Sequence, residues 1–153
     1  MILTSISPYL IAAVTAWIVA QGLKYIIASV KSKNLSINKR QLYLSGGMPS
    51  AHSATVIALL TVIGYRDGVG SALFGIAALF AAIVMYDAVM VRRSSGEQGT
   101  AIIALIREQK SKVPLPRAAK GHTPIEVFAG IIIGLIVGII VYYATYYATL
   151  RVS

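Results

Sequence analysis

Two short polar signatures interrupt an otherwise apolar chain, and they hold its only two histidines. One reads Ser45-Gly46-Gly47-Met48-Pro49-Ser50-Ala51-His52-Ser53, the other Gly121-His122-Thr123-Pro124-Ile125-Glu126. His122 and Glu126 stand four residues apart, so on a helix they share a face and reach each other. A carboxylate accepting from one imidazole nitrogen fixes the tautomer and leaves the other nitrogen as nucleophile or base. The simpler reading of these residues is a helix start with a stabilising acid in its first turn. In the first signature, Gly46-Gly47 allows close backbone approach and Pro49 opens a helix. The N–H groups of Ser50, Ala51 and His52 then point to one spot, an anion site to which Ser50 adds a hydroxyl and His52 a titratable proton. A glycine turn capped by Ser50 is its simpler reading. Taken together, the two signatures point to histidine-based phosphoryl chemistry at a membrane surface.

Cations complete the constellation. Lys24 sits on an apolar helix about two turns from its end, where a charge is costly unless it snorkels or has a partner. Arg92 and Arg93 directly follow another apolar run, beside Asp87, Glu97 and Gln98. Arg93 and Glu97 are spaced for an i,i+4 ion pair, and Arg92 suits lipid head groups as well as a bound phosphate. Lys31, Lys33, Lys39 and Arg40 read as surface charge.

The elements that must position these groups are membrane helices. The chain is 57% hydrophobic and 12% charged, with a mean hydropathy of +0.75, far from a soluble domain. With 153 residues it reads as one domain over 1–153. No cysteine is present, which excludes disulfides and thiolate metal sites. The net charge of +9 lies in loops between apolar runs, so anionic lipid explains it and nucleic acid is not a partner. Apolar segments run from Pro8 to about Val30, Pro49 to Tyr65, Ser71 to Val91, and His122 to about Tyr147. The first spans roughly 35 Å, enough for a bilayer core of about 30 Å, and reads as a retained helix rather than a signal peptide. The second is short, about 25 Å, and ends at the turn Tyr65-Arg66-Asp67-Gly68. Ile102, Ile103, Leu105 and Ile106 make Glu97 to Glu108 an interfacial helix lying flat, and Tyr142, Tyr143, Tyr146 and Tyr147 form an aromatic belt. The expected fold is all-α, an integral membrane bundle of about four transmembrane helices plus an interfacial helix. The regions 24–48 and 92–121, on one side of four crossings, carry 12 of the 14 Lys and Arg; Arg66 and Arg151 lie elsewhere. This bias places both histidine signatures at the cytoplasmic face of a bacterial-type cell membrane, with both termini outside.

These residues resemble the type 2 phosphatidic acid phosphatase and vanadium haloperoxidase superfamily, and more closely its small divergent membrane branch. Three blocks carry the resemblance: Ser45 to Ala54; Tyr86-Asp87-Ala88 with Val91-Arg92-Arg93-Ser94-Ser95-Gly96-Glu97-Gln98; and Gly121 to Val127. The superfamily's Pro-Ser-Gly-His stands here as Pro49-Ser50-Ala51-His52, and its His, three residues, Asp stands as His122 and Glu126. Its Ser-Arg pair has no counterpart, because Arg117 is one residue too close and follows Pro116. Lys33 and Arg40 have the spacing of its first motif, but Gln41 replaces the proline; Lys24, anchored on a helix, is the better source of that charge.

The resemblance implies a metal-independent phosphatase, without cofactor, acting on a membrane lipid phosphate or diphosphate through a phosphohistidine. His122 is then the nucleophile, Glu126 its orienting carboxylate and His52 the acid and base. Ser50, Lys24, Arg92, Arg93 and Gly47 bind the phosphoryl group, with Asp87, Glu97 and Gln98 in support. Two other readings of the same residues stay open: a non-enzymatic protein that binds or transports an anion, and a structural bundle without activity. On the fourth helix, Gly130, Gly134 and Gly138 allow close helix approach. His122, Glu126 and Gly130 advance only about 40° per step, which assigns Gly130 to the bundle interior. Gly138, about 160° from His122, is expected to be free for a homodimer partner.

Overall fold

The computed structural model describes residues 7–32, 47–116 and 121–151. Among them the chain is helical and contains no strand. The helices are α1 (Pro8–Ser32), α2 (Ala51–Arg66), α3 (Ala72–Tyr86), a π-helical turn (Asp87–Val91), α4 (Arg92–Glu108) and α5 (Pro124–Leu150). Spans Pro8–Val30, Ala72–Glu108 and Pro124–Leu150 are long and apolar enough to cross a membrane. The bundle is therefore that of an integral membrane protein.

Its interior is made of small residues and its exterior of large ones. Ala12, Ala16, Ala20, Ala54 and Ala58 are completely buried, whereas Ile18, Ile76, Leu79 and Ile140 are each more than half exposed. Water would drive the reverse arrangement. In lipid, helix association relies on close backbone packing, and bulky apolar side chains face the acyl chains.

Three i,i+4 columns meet at the core. On α5 the column is Gly130, Gly134, Gly138; on α2 it is Ser50, Ala54, Ala58, Val62; on α1 it is Ala12, Ala16, Ala20 and then Lys24. A Cβ on Gly130, Gly134 or Gly138 would come within 2.5, 2.6 and 3.0 Å of the Ser50, Ala54 and Ala58 carbonyl oxygens respectively. These contacts run in step, so α2 and α5 are parallel and their i±4 ridges interlock. They also correct the expectation for Gly138. It is buried against Ala58 and Thr61 of its own chain, because α2 follows the slow drift of the glycine column. It is not open to a second copy.

Helix α2 has 16 residues, about 24 Å, and is shorter than the spans. It lies between α1, α3 and α5, so little of it need face lipid. Its start differs by one turn position from expectation: Ser50 is the N-cap and Pro49 precedes it. The expected turn after Tyr65 is present, with Asp67 as C-cap and Gly68 at φ +86°.

The largest departure is at the third segment. The interfacial helix is not a separate piece beyond a loop: α3, the π turn and α4 form one 37-residue helix, Ala72–Glu108. The π turn absorbs an extra residue without breaking the helix. Among the described residues α4 buries only Gly99, in keeping with its amphipathic sequence. Lys33, Lys39, Arg40, Ser45, Gly46, Arg117 and Lys120 lie outside the described residues, as does the side chain of Lys31.

Candidate active site

The starts of α2 and α5 come together with the end of α1 and the π turn. At the first turn of α5, Thr123 is the N-cap and Pro124 the first helical residue. Thr123 and Glu126 form a capping box, in which the Thr123 hydroxyl accepts from Glu126 N–H and Glu126 Oε2 accepts from Thr123 N–H at 3.2 Å. The same Oε2 lies 2.9 Å from His122 Nδ1. The structural and the chemical readings of this signature thus hold together, because one carboxylate serves both. With Nδ1–H donated to Glu126, the lone pair of His122 is on Nε2.

His122 is 7% exposed, and its backbone is held as firmly as its ring. Within the π turn, Arg92 N–H bonds to the Asp87 carbonyl instead of the Ala88 carbonyl that an α-helix would use. Ala88 is left with a spare acceptor, and His122 N–H donates to it at 3.0 Å. Gly121 lies directly on the Arg93 backbone, where a Cβ would overlap Arg93 N and Cα. The Asp87–Arg93 block therefore acts through its main chain as the seat of His122.

The α2 signature is fastened to the same place by Ser50 N–H, which donates to the Glu126 carbonyl at 2.9 Å. This corrects the expected triplet of free N–H groups: Ser50 N–H is used, and only Ala51 and His52 remain without an acceptor among the described residues. Ser50 is completely buried, and its hydroxyl accepts from Ser53 N–H and Ser53 Oγ–H at 3.4 and 2.9 Å. Its role is the cap of α2 and the joint between the two histidine helices. His52, one turn position further, is exposed. Arg92, His122, Lys24 and Asp87 all act on it electrostatically.

Lys24 is on the core-facing column of α1 and interacts electrostatically with Glu126. Its chain passes over Gly47, whose missing Cβ would stand 3.1 Å from Lys24 Cε. Gly47 has φ +91°, so both backbone and space require glycine there. Gly47 acts by admitting the lysine.

The remaining cations are divided. Arg92 Nε bonds to Asp87 Oδ2 at 2.7 Å across the π turn, near His52. Arg93 directs its Nε to Glu97 at 3.1 Å and is 59% exposed, so the ion pair expected from spacing is present. Gln98 bonds to Ser94 at 3.2 Å on the exposed side of α4. The structure thus gathers Lys24, Gly47, Ser50, His52, Asp87, Arg92, His122 and Glu126, while Glu97, Gln98 and the Arg93 side chain stand outside.

Sequence reasoning missed Ala88, Gly121, Ser53 and Thr123 as supports. Thr123 carries a readable signal, since Thr-x-x-Glu before an apolar run is a capping-box pattern. Ala88 carries none, because its role is that of a carbonyl released by helix geometry. Among the described residues no group of three His, Cys, Asp or Glu is arranged to hold a metal ion.

A family model described as the Divergent PAP2 family matches residues 6–137. The chain is also similar to an uncharacterized membrane protein, YuiD, of Bacillus subtilis (strain 168), at 39% identity over 79% of this chain and 85% of that protein. No solved structure matches.

Proposed function

The chain belongs to the Divergent PAP2 family, and from that premise we propose that it is a metal-independent phosphatase of a membrane lipid phosphate or diphosphate. The observation that carries this reading is the pair of buried His122 and half-buried Glu126, 2.9 Å apart, within electrostatic reach of a second histidine and of Lys24, with Arg92 acting on that histidine. Nε2 of His122 attacks phosphorus, and the P–O bond to the leaving group breaks as the N–P bond forms. Protonated His52 gives its proton to the leaving oxygen. The imidazole then takes a proton from water as that water attacks the phosphohistidine, releasing phosphate and His122. Such acid–base assistance contributes roughly 10²–10⁴ in rate. Glu126 holds the imidazole and stabilises the charge that develops on it. Lys24, Arg92 and the N–H groups of Ala51 and His52 stabilise the phosphoryl oxygens.

The site faces the cytoplasm in this reading, supported by 12 of 14 Lys and Arg in the regions 24–48 and 92–121 on its side. Single cysteines at Ser36 and Ser111 should then resist an impermeant thiol reagent in intact cells, while one at Ser153 reacts. Labelling at Ser36 and Ser111 would reverse the orientation.

Phosphate release by the purified protein tests the activity, using phosphatidic acid, phosphatidylglycerophosphate and a polyprenyl diphosphate. At least one should be hydrolysed with excess chelator present. His122→Ala should reduce release to background with the helical content unchanged. His52→Ala should recover activity on a substrate whose leaving group needs no proton. Failure on every substrate, with anion flux in liposomes instead, would replace the phosphatase by a transport protein.

A further inference from the structure

At the end of the bundle opposite the histidines, the i,i+4 columns change character. On α5 the residues after Gly138 are Tyr142 and Tyr146; on α2 those after Ala58 are Val62 and Arg66. Large side chains stand between the helices there, with two cavities beside them. One, of about 280 Å³, is lined by Tyr65, Arg66, Tyr142, Tyr146, Thr149 and Leu150. The other, of about 370 Å³, lies between α2, α3 and α5 and is almost wholly apolar, with Leu60, Phe74, Ile131 and Leu135 among its walls. Tyr65 borders both, stacked on Tyr142 at a ring distance of 4.9 Å.

The outer cavity has one formal charge in its lining, that of Arg66. The neighbouring carboxylate, Asp67, accepts a hydrogen bond from Tyr9 at 2.7 Å and belongs to the α1 side of the bundle. Tyrosine hydroxyls beside a guanidinium suit a phosphate oxygen, and the Thr149 hydroxyl, which donates to the Thr145 carbonyl at 2.9 Å, keeps an acceptor for a hydroxylated head group. An apolar chamber reached at the same tyrosine suits a hydrocarbon chain. An anion alone would leave the apolar chamber unexplained, and a neutral lipid would leave Arg66 unexplained.

We propose that this end binds one anionic phospholipid of the leaflet opposite the histidine site, its phosphate at Arg66 and one acyl chain in the α2–α3–α5 chamber. The site is separate from the catalytic reading and uses none of its residues. The Val56, Ile57 and Ala81 cluster packs at the chamber wall, and neither cavity is lined by a residue of the histidine site.

Native mass spectrometry of the full chain in detergent tests the proposal by counting retained lipid, with phosphatidylglycerol, phosphatidylcholine and inorganic phosphate as probes. Phosphatidylglycerol should be retained at least fivefold over phosphatidylcholine, and millimolar inorganic phosphate should not displace it. Arg66→Gln should remove the preference and Arg66→Lys should keep most of it. Leu135→Trp, which fills the chamber, should lower retention of both lipids, and His122→Ala should leave retention unchanged. Equal retention of the two lipids, or a preference that survives Arg66→Gln, overturns the proposal. Displacement by inorganic phosphate with no effect of Leu135→Trp also overturns it, in favour of a free-anion site. Loss of retention in His122→Ala with none in Arg66→Gln would move the lipid to the histidine end. Phosphatase activity is not read in any arm, so failure here leaves the catalytic reading standing, and the reverse holds too.

Discussion

The histidine end and the tyrosine end of the bundle are built on the same two helices, yet they are packed by opposite means. At the histidine end α2 and α5 touch backbone to backbone, with Ser50 N–H bonded to the Glu126 carbonyl and no room for a Cβ at Gly130. At the tyrosine end they meet through side chains, in stacks of Tyr65, Tyr142 and Tyr146. One α5 column makes the whole transition: His122, Glu126, Gly130, Gly134, Gly138, Tyr142, Tyr146. The carbonyl approach to the glycine positions loosens along it, from 2.5 Å at Gly130 to 3.0 Å at Gly138. Small residues thus fix the geometry of charged groups, because main-chain atoms cannot shift as side chains do. Large residues leave space for other molecules.

The strongest way to break this comparison is Gly130→Leu. It should abolish phosphate release and destabilise the protein by more than the ~1–3 kcal/mol usual for overpacking, since the obstructing atoms are backbone. Milder replacements sharpen the gradient: in detergent melts Gly130→Ala should lower Tm more than Gly138→Ala. Equal effects would mean that the helices do not diverge. Gly121→Ala comes next. By displacing His122 from its seat on Arg93 it should slow turnover by about 10²-fold, the cost of an ångström-scale misplacement, with a smaller change in melting than Gly130→Ala.

Glu126→Gln separates the two duties of that carboxylate. Turnover should fall by about tenfold or more, while the loss at the cap should stay near ~1 kcal/mol by thermal unfolding. A variant with a normal rate would remove Glu126 from the chemistry and leave it as a cap. The smallest effect is expected from Arg93→Gln. Its exposed i,i+4 pair with Glu97 contributes ~0.5 kcal/mol or less, and turnover should stay within about twofold. A tenfold loss would bring the Arg93 side chain into the site.

Much of this site was legible in the sequence. The four-residue spacing of His122 and Glu126 predicts their contact, although it is made across the Thr123 cap because His122 precedes α5, and Lys24 was conspicuous as a charge on an apolar helix. The Lys24 position also continues an alanine column that the composition hides, since alanine is common everywhere in such a chain. Two features were not legible. The π turn at Asp87–Val91 leaves the apolar character of its segment unchanged, so neither the spare Ala88 carbonyl nor the continuity of α3 with α4 could be read. The burial of Gly138 was not legible because it depends on the partner helix as well as on the angle along α5. The partner helix α2 has its own small-residue column, and two such columns stay in contact along their length.

If His122 takes the phosphoryl group, the phosphohistidine can be trapped. His52→Ala should be quenched in base after brief exposure to a radiolabelled lipid phosphate with a good leaving group. Without its general base the intermediate should accumulate, as base-stable, acid-labile label in the peptide that contains His122. The double variant with His122→Ala should carry none. Label that persists without His122, or a hydrolysing enzyme that never carries label, would contradict the account.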